Sequence, residues 1–346
     1  MALTRRGRIA LLVLAALVAV VATVVVAVAT RPKGTSVIGA VADIVRPDPI
    51  CPLTGLRATG EEVPARPALA VKVENSVSAR PQAGLNDADV VYEEPVEGGI
   101  TRFIAIFQCA DADRLGPVRS ARTTDPDVLL QYGLPVFAYS GGAPLVRQLV
   151  AQAGLLDVNF EDNPDLYDRD PAREMPHDVF TSTARLWAGA TWTAGAPDPV
   201  FAFDETAPEV SKKARAVHLD FSSSSDVWWY WDAGQSLWLR SHGDDPHLLE
   251  DGSRVAASTV IVQVVEVRDG TIIDAAGNPS PEVTLLGTGK AYVFRDGRVV
   301  VGRWVRDTLG EVTRFVTKDG EEIALVPGRT WIELLPSTIA VEVGRR

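Results

Sequence analysis

Two arginines bracket a serine in LGPVRSARTTDPD, the stretch from Leu115 to Asp127. A guanidinium is a planar, permanently charged donor that grips carboxylate or phosphate at two points, so Arg119 and Arg122 together suit an anion. Asp125-Pro126 just beyond them reads as a helix N-cap followed by proline at the first helical position. A second stretch, SGGAP from Ser140 to Pro144, also leads into a helical pattern. Helix starts offer unpaired N–H groups and the positive end of a dipole, and glycine admits a ligand close to the backbone. Arg102, Arg119, Ser120, Arg122, Gly141 and Gly142 are therefore the candidate anion-binding residues. The competing reading is structural, because Glu93, Glu94, Glu97, Asp111, Asp113, Asp125 and Asp127 are all available to pair with these arginines.

Catalysis would need an acid or base beside that positive charge. DRDPAREMPHD collects Asp168, Asp170, Glu174, His177 and Asp178, groups suited to proton transfer or to an oxygen-rich metal site. His177 is the best single catalytic candidate, with Glu97 as its acid–base partner. Glu93, Glu94 and Glu97 flank a turn and contain the pair of acids that glycoside hydrolysis requires. Ser120, His177 and an aspartate would make a triad on paper, but no G-x-S-x-G elbow surrounds Ser120 or Ser140. His242 and His247 enclose a polar run that reads as a hydrated turn rather than a metal site, and GTGK at Gly287–Lys290 lacks the spacing of a phosphate loop. No metal and no cofactor is expected.

These residues must be placed by strands and helices. ALAVKVEN, DADVVYEE and TRFIAIFQC alternate as strands, the last two joined by the glycine-bearing turn PVEGG. The Asp125 helix runs to about Tyr132, LPVFAYS is a buried strand, and PLVRQLVAQAG repeats Leu145, Leu149 and Val150 at helical spacing. A short helix follows Thr181-Ser182. From about Ala216 the period becomes two, with Asp-Gly turns at Asp269, Asp296 and Asp319. DVWWYWDAGQSLWLR sends Trp228 and Tyr230 to one face of a hairpin and Trp229 and Trp231 to the other. One face is core; the other offers exposed aromatic surface to sugar rings or a protein partner.

The 346-residue chain is 46% hydrophobic and 23% charged, a globular composition. Its start differs. Arg5, Arg6 and Arg8 precede an uncharged run from Ile9 to Thr30, long enough to cross a bilayer with the N-terminus inside. The alternative is a secreted protein whose signal peptide is cleaved after Ala27-Val28-Ala29, but the run exceeds the usual apolar core of such a peptide. Net charge is −11, and every acidic residue lies beyond the run, so nucleic acid is excluded as a partner. The two cysteines, Cys51 and Cys109, would be bridged in an oxidising exterior, two buried thiols being the alternative.

RPALAVKVEN, ARPQAGLNDADVVYEEPVEGGITRFIAIFQ and LGPVRSAR resemble the YerB-like lipoprotein family, as do STVIVQ, GTGKAYVFRDGRVVVGRW and PGRTWIELLP in the second half. The resemblance runs from Cys51 to Pro336 and includes Pro176-His177. It implies a two-domain extracytoplasmic protein, often lipid-tethered, with no established activity. Cys51 lies about twenty residues past the apolar run rather than in a lipobox, and the family's His-x-Gly-Gly-Ser stands here as Tyr139-Ser140-Gly141-Gly142-Ala143.

The expected organisation is a cytoplasmic tail (1–8), a transmembrane anchor (9–30), a linker (31–50), an α/β or α+β N-terminal domain (51–198) and a mostly antiparallel β C-terminal domain (199–341). The expected protein is anchored in the cell membrane through its N-terminal helix and exposed outside. It binds an anionic or glycan-like envelope ligand or a protein partner. The competing function is a hydrolase or transferase acting on envelope glycan or phosphodiester, with His177, Glu97, Arg119 and Arg122.

Overall fold

The computed structural model describes residues 48–274 and 277–344. The expected tail and anchor, and nearly all of the linker, lie outside them. Among the described residues no helix is long and apolar enough to cross a membrane.

In the first half, β1 (Leu69–Glu74), β2 (Val90–Pro95), β3 (Thr101–Phe107), β4 (Val136–Ala138) and β5 (Leu156–Asp157) join one sheet, while β6 (Asp168–Arg169) pairs with β7 (Val179–Phe180). Three helices accompany them: α1 (Thr124–Leu129), α2 (Pro144–Gln152) and α3 (Thr183–Gly189). The second half opens with β8 (Lys212–Lys213), β9 (Ala216–Ser222), β10 (Ser225–Asp232), β11 (Leu237–His242), β12 (Asp245–Pro246) and β13 (Ala256–Ala257). It continues through β14 (Thr259–Val265), the hairpin β15 (Val267–Ile273) and β16 (Pro279–Val283), then β17 (Gly287–Arg295) and β18 (Arg298–Arg306). β19 (Arg314–Val316), β20 (Thr330–Pro336) and β21 (Glu342–Gly344) follow.

The long sheet takes strands from both halves, in the order β19-β18-β17-β14-β20-β2-β3-β1-β4-β5, with β8 on β18. β20 is the joint. It runs parallel to β14 on one side and parallel to β2 on the other, pairing Val90–Glu93 with Thr330–Glu333. The second half is thus mostly antiparallel, but its last long strand is parallel to both neighbours. Parallel pairing needs long crossovers, which is why the partners of β20 lie far from it in sequence.

Period-two alternation splits the sheet into two buried faces. Leu69, Val71, Phe103, Trp331 and Leu335 face one core, which is closed by α3 and by the second sheet β12-β11-β10-β9-β21 through Trp229 and Trp238. Ala70, Tyr92, Ile104, Ile332 and Leu334 face the other, closed by α1 and α2 through Val128, Val146 and Val150. The result is a mixed α/β fold that is mostly β.

Two helix expectations are corrected. α1 starts at Thr124 with Thr123 as N-cap, because the Asp125 carboxylate is engaged elsewhere, accepting from Arg122 N (2.6 Å) and Lys72 Nζ (2.5 Å). On α2 the buried pair is Val146 and Val150, whereas Leu145 is exposed. Leu145 and Leu149 form a neighbouring stripe along a cavity of about 520 Å³ against Leu130, Val283 and Leu309. The helix after Ser182 forms as expected, with the serine hydroxyl accepting from Arg185 N.

Charge is buried where the two sheets meet. Arg240 Nη2 on β11 donates to both oxygens of Glu93 on β2 (2.9 and 2.7 Å), and both side chains are fully buried. Glu333 stands beside Glu93 in register and accepts from Trp229 Nε1 (2.7 Å), while its other oxygen has no donor. Burial and the adjacent Glu93 push the Glu333 carboxyl well above the carboxylate range, which favours its neutral form. Removing one partner of a buried ion pair strands the other. Glu93→Gln should therefore cost about 3–5 kcal/mol in chemical denaturation, and Glu333→Gln, isosteric with the neutral acid, about 1 kcal/mol or less.

Cys51 and Cys109 form a disulfide across a sequence separation of 58. It ties the start of the domain to the end of β3. Reduction should remove about 4 kcal/mol through the loop entropy of the unfolded chain, read as a lower melting temperature in reductant.

Candidate functional site

The Arg119 segment is held along the end of β1. Glu74 N donates to Pro117 O, Arg119 N to Lys72 O, and on the far side Val118 N to Val179 O. Three chain segments therefore lie side by side, and they bring Glu74, Arg119 and His177 together. Glu74 Oε2 pairs electrostatically with Arg119, 3.2 Å from its Nε and without a hydrogen bond from it, and meets His177 Nδ1 at 2.8 Å, while Ser76 Oγ donates to Oε1 at 3.0 Å. The Glu74 side chain is 3% exposed, whereas Arg119 and His177 are 24% and 21% exposed. A buried carboxylate thus anchors two groups that reach solvent.

Arg122 points the other way. Its Nε and Nη2 both meet Glu97 Oε2, at 2.8 and 2.5 Å. Burial alone would raise the Glu97 carboxyl, but Arg122 and Ser280 outweigh it and hold it below its usual range. Ser120, Arg122, Glu97 and Gly142 line a cavity of about 180 Å³, with Ile273 and Asp274 of the β15–β16 hairpin opposite. Gly141 sits at φ +80°, and a Cβ there would lie 2.8 Å from Ser120 Oγ. Glycine is required at that position on both counts.

Arg102 lies behind the segment, 5% exposed. Its Nη1 donates to Ser120 O (3.0 Å) and its Nε has no acceptor. Burial, with Arg122 and Arg119 close by, pushes its pKa down to about 9. Arg102, Arg119 and Arg122 share the cluster with two carboxylates, Glu74 and Glu97. The structural pairing holds for two of the arginines and leaves the third without a carboxylate of its own.

The segment is pinned from below by a buried triad. Lys72 Nζ bonds Glu94 and Asp125, all fully buried, and Asp125 in turn accepts from Arg122 N. Glu93 and Glu94 point to opposite faces of β2, so they cannot act as paired acids on one bond.

The other candidates are dispersed. Asp168 pairs with Arg185, Asp170 with Arg114 and Asp178 with Arg169. Among the described residues no group of three or more His, Cys, Asp or Glu is placed to hold a metal ion. His242 and His247 instead surround the Arg240 guanidinium, with Arg240 Nη1 2.8 Å from His247 Nδ1, and burial followed by that cation keeps both imidazoles neutral. Gly287–Lys290 opens strand β17. Trp229 is buried, and Trp228 and Tyr230 lie on the outer face. His218, Trp228 and Tyr230 stack on one another there, at interplanar angles of 9° and 3°.

Sequence reading missed Glu74 and Lys72 as members of the site, and gave Asp125 as a helix cap and a possible arginine partner. The signal was present in ALAVKVEN, where Lys72 and Glu74 interrupt one face of a strand that is otherwise apolar.

A long mixed sheet, with α1 and α2 on one face and α3 and a second sheet on the other, defines a β-rich α/β protein, and its polar cluster sits at the end of β1. Residues 53–195 match the family described as protein of unknown function (DUF3048), N-terminal domain, and residues 217–332 match its C-terminal domain. The chain belongs to this family. It is 31% identical over 304 residues to the putative lipoprotein YerB of Bacillus subtilis (strain 168), covering 85% of this chain and 88% of that protein. The crystal structure of YerB protein from Bacillus subtilis superposes with a TM-score of 0.73 at 28% identity, covering 85% of this chain and 99% of that one.

The buried triad also carries a pH dependence. Burial, partly offset by Lys72 and reinforced by Asp125, raises the Glu94 carboxyl to about 7, above its ordinary 4.5. Between those values the folded protein holds a proton that the unfolded chain has released. Glu94 therefore contributes stability that is complete below about pH 4.5 and lost as the pH rises through 7. Urea midpoints across this range should fall with pH in the wild type, and the slope should flatten in Glu94→Gln.

Proposed function

We propose that this chain is an extracytoplasmic protein of the bacterial envelope, held at the membrane by its N-terminal segment, that binds an anionic ligand at the Arg119 cluster. The location draws on the apolar run behind Arg5, Arg6 and Arg8 and on the printed description of the Bacillus relative as a putative lipoprotein. The Cys51–Cys109 disulfide fits an oxidising compartment.

Binding rests on one observation. Arg102 is a nearly buried guanidinium between two others, with a main-chain carbonyl for partner and an unpaired Nε. An incoming anion would relieve that charge, and Arg119 is the arm of the cluster that reaches solvent. Two of the three guanidinium groups are paired with carboxylates, and Arg102 is the one held by a main-chain carbonyl alone. The self-stacked aromatic row favours this reading over a glycan platform.

The test is thermal unfolding of the full chain with and without inorganic phosphate. At about 100 times its dissociation constant the ion should add about 2.7 kcal/mol of stability. Arg119→Gln should melt near the wild type without phosphate and show no shift with it. Equal shifts in both proteins would place any phosphate elsewhere.

A further inference from the structure

We infer that Glu74 and His177 form a general-base dyad at the anion cluster, and that the bound anion is a phosphodiester which the protein hydrolyses. This rests on the anion-binding reading above and adds a chemical step to it.

Geometry sets the proton positions. An ionised carboxylate only accepts hydrogen bonds, so the 2.8 Å contact with Glu74 Oε2 places a hydrogen on His177 Nδ1. In the neutral imidazole Nε2 then carries the lone pair. Among the described residues Nε2 makes no hydrogen bond, and the side chain is part-exposed while the carboxylate that orients it is buried. A buried acid fixing the tautomer of an imidazole whose far nitrogen faces solvent is the arrangement of a general base. Most other polar side chains nearby are committed: Glu97 to Arg122, Asp178 to Arg169, and Arg173 to Glu250 and two backbone carbonyls. His177 offers a free basic atom on a part-exposed side chain, whereas Asp178 Oδ1, also without a donor, is buried.

Arg119 makes the position specific. It shares Glu74 Oε2 with His177, so its guanidinium and Nε2 are presented from one anchor. A phosphoryl group on Arg119 would lie beside the base, and Arg102 behind it adds to the field. The non-bridging oxygens of a phosphodiester are the anionic acceptors that such a guanidinium would hold.

The step balances with water as the only co-reactant. Nε2 takes a proton from water as the water oxygen bonds to phosphorus. The bond from phosphorus to the leaving oxygen breaks, and the imidazolium returns the proton to that oxygen, giving a phosphomonoester and an alcohol. Arg119 stabilises the charge on the non-bridging oxygens. Glu74 touches no substrate atom and acts as a positioning residue.

The experiment uses the full chain with bis(p-nitrophenyl) phosphate as probe, alongside phosphate binding on the same sample. Wild type should release nitrophenolate, and His177→Gln should lower kcat by roughly 100-fold or more while still binding phosphate. Glu74→Gln should lower kcat by about 10-fold or more with KM little changed, and Glu74→Asp should recover part of the loss. Nitrogen-15 NMR of the wild type, which needs no variant to fold, should show His177 as the Nδ1–H tautomer. Phosphate binding without turnover overturns the dyad and keeps the binding site; loss of both overturns both. Turnover that His177→Gln leaves unchanged, or an Nε2–H tautomer, also overturns the dyad.

Discussion

A charge buried between two sheets must be neutralised where it stands, and the Glu93–Arg240 pair meets that requirement at the centre of this protein. Arg240 comes from the second sheet, Glu93 from the long one, and both are fully buried. Isolated, either group would cost several kcal/mol to desolvate. Their contact therefore fixes which face of β11 meets which face of β2. Around it runs a chain of hydrogen bonds: Asn75 and Thr101 to Glu93, and His247 between Arg240 and Gln82. Gln82 then returns to the backbone of Glu74. The candidate site thus hangs from the same network that clamps the sheets together, one residue along β1 from Asn75.

Much of this fold was legible in the residues. Alternation located β1, β2 and β3, the PVEGG turn joined the latter two, and the serine cap marked α3. The change to period two near Ala216 marked the β-rich half. Those signals are local, set by side-chain periodicity and turn chemistry, and local signals survive without knowledge of the rest of the chain. Partners distant in sequence were not legible. Nothing in RTWIELLP says that its Glu333 will stand beside Glu93, because parallel register is set by a crossover of more than two hundred residues. The helix start at Thr124 was misplaced for a related reason: Asp125 is a good cap by type, but Lys72 on another strand engages it first.

The site shows the same division. Arg119, Arg122, Ser120 and the two glycines were visible as types that bind anions, and the structure does gather them at one end of the sheet. His177 was visible as a base. What joins them is Glu74, a residue that in sequence is only the polar end of a strand. Glu97 sits instead on Arg122, at the opposite side of the segment, as an acceptor. Charge alone could not have separated these two glutamates, since burial and neighbours decide which anchors an imidazole and which a guanidinium.

The place of β20 carries a consequence for how the molecule is made. A chain emerging from the ribosome or the export channel presents β1, β2 and β3 early, and together they form an antiparallel unit. The outer edge of β2 has no partner until residues 330–336 arrive. For most of synthesis the first family segment therefore exposes a bare strand edge, and its Glu93 lacks a counter-charge until Arg240 is made. Such edges recruit other chains. The two segments are separable as sequence motifs but not as folding units, and the nascent protein must be guarded until almost its last strand has been delivered.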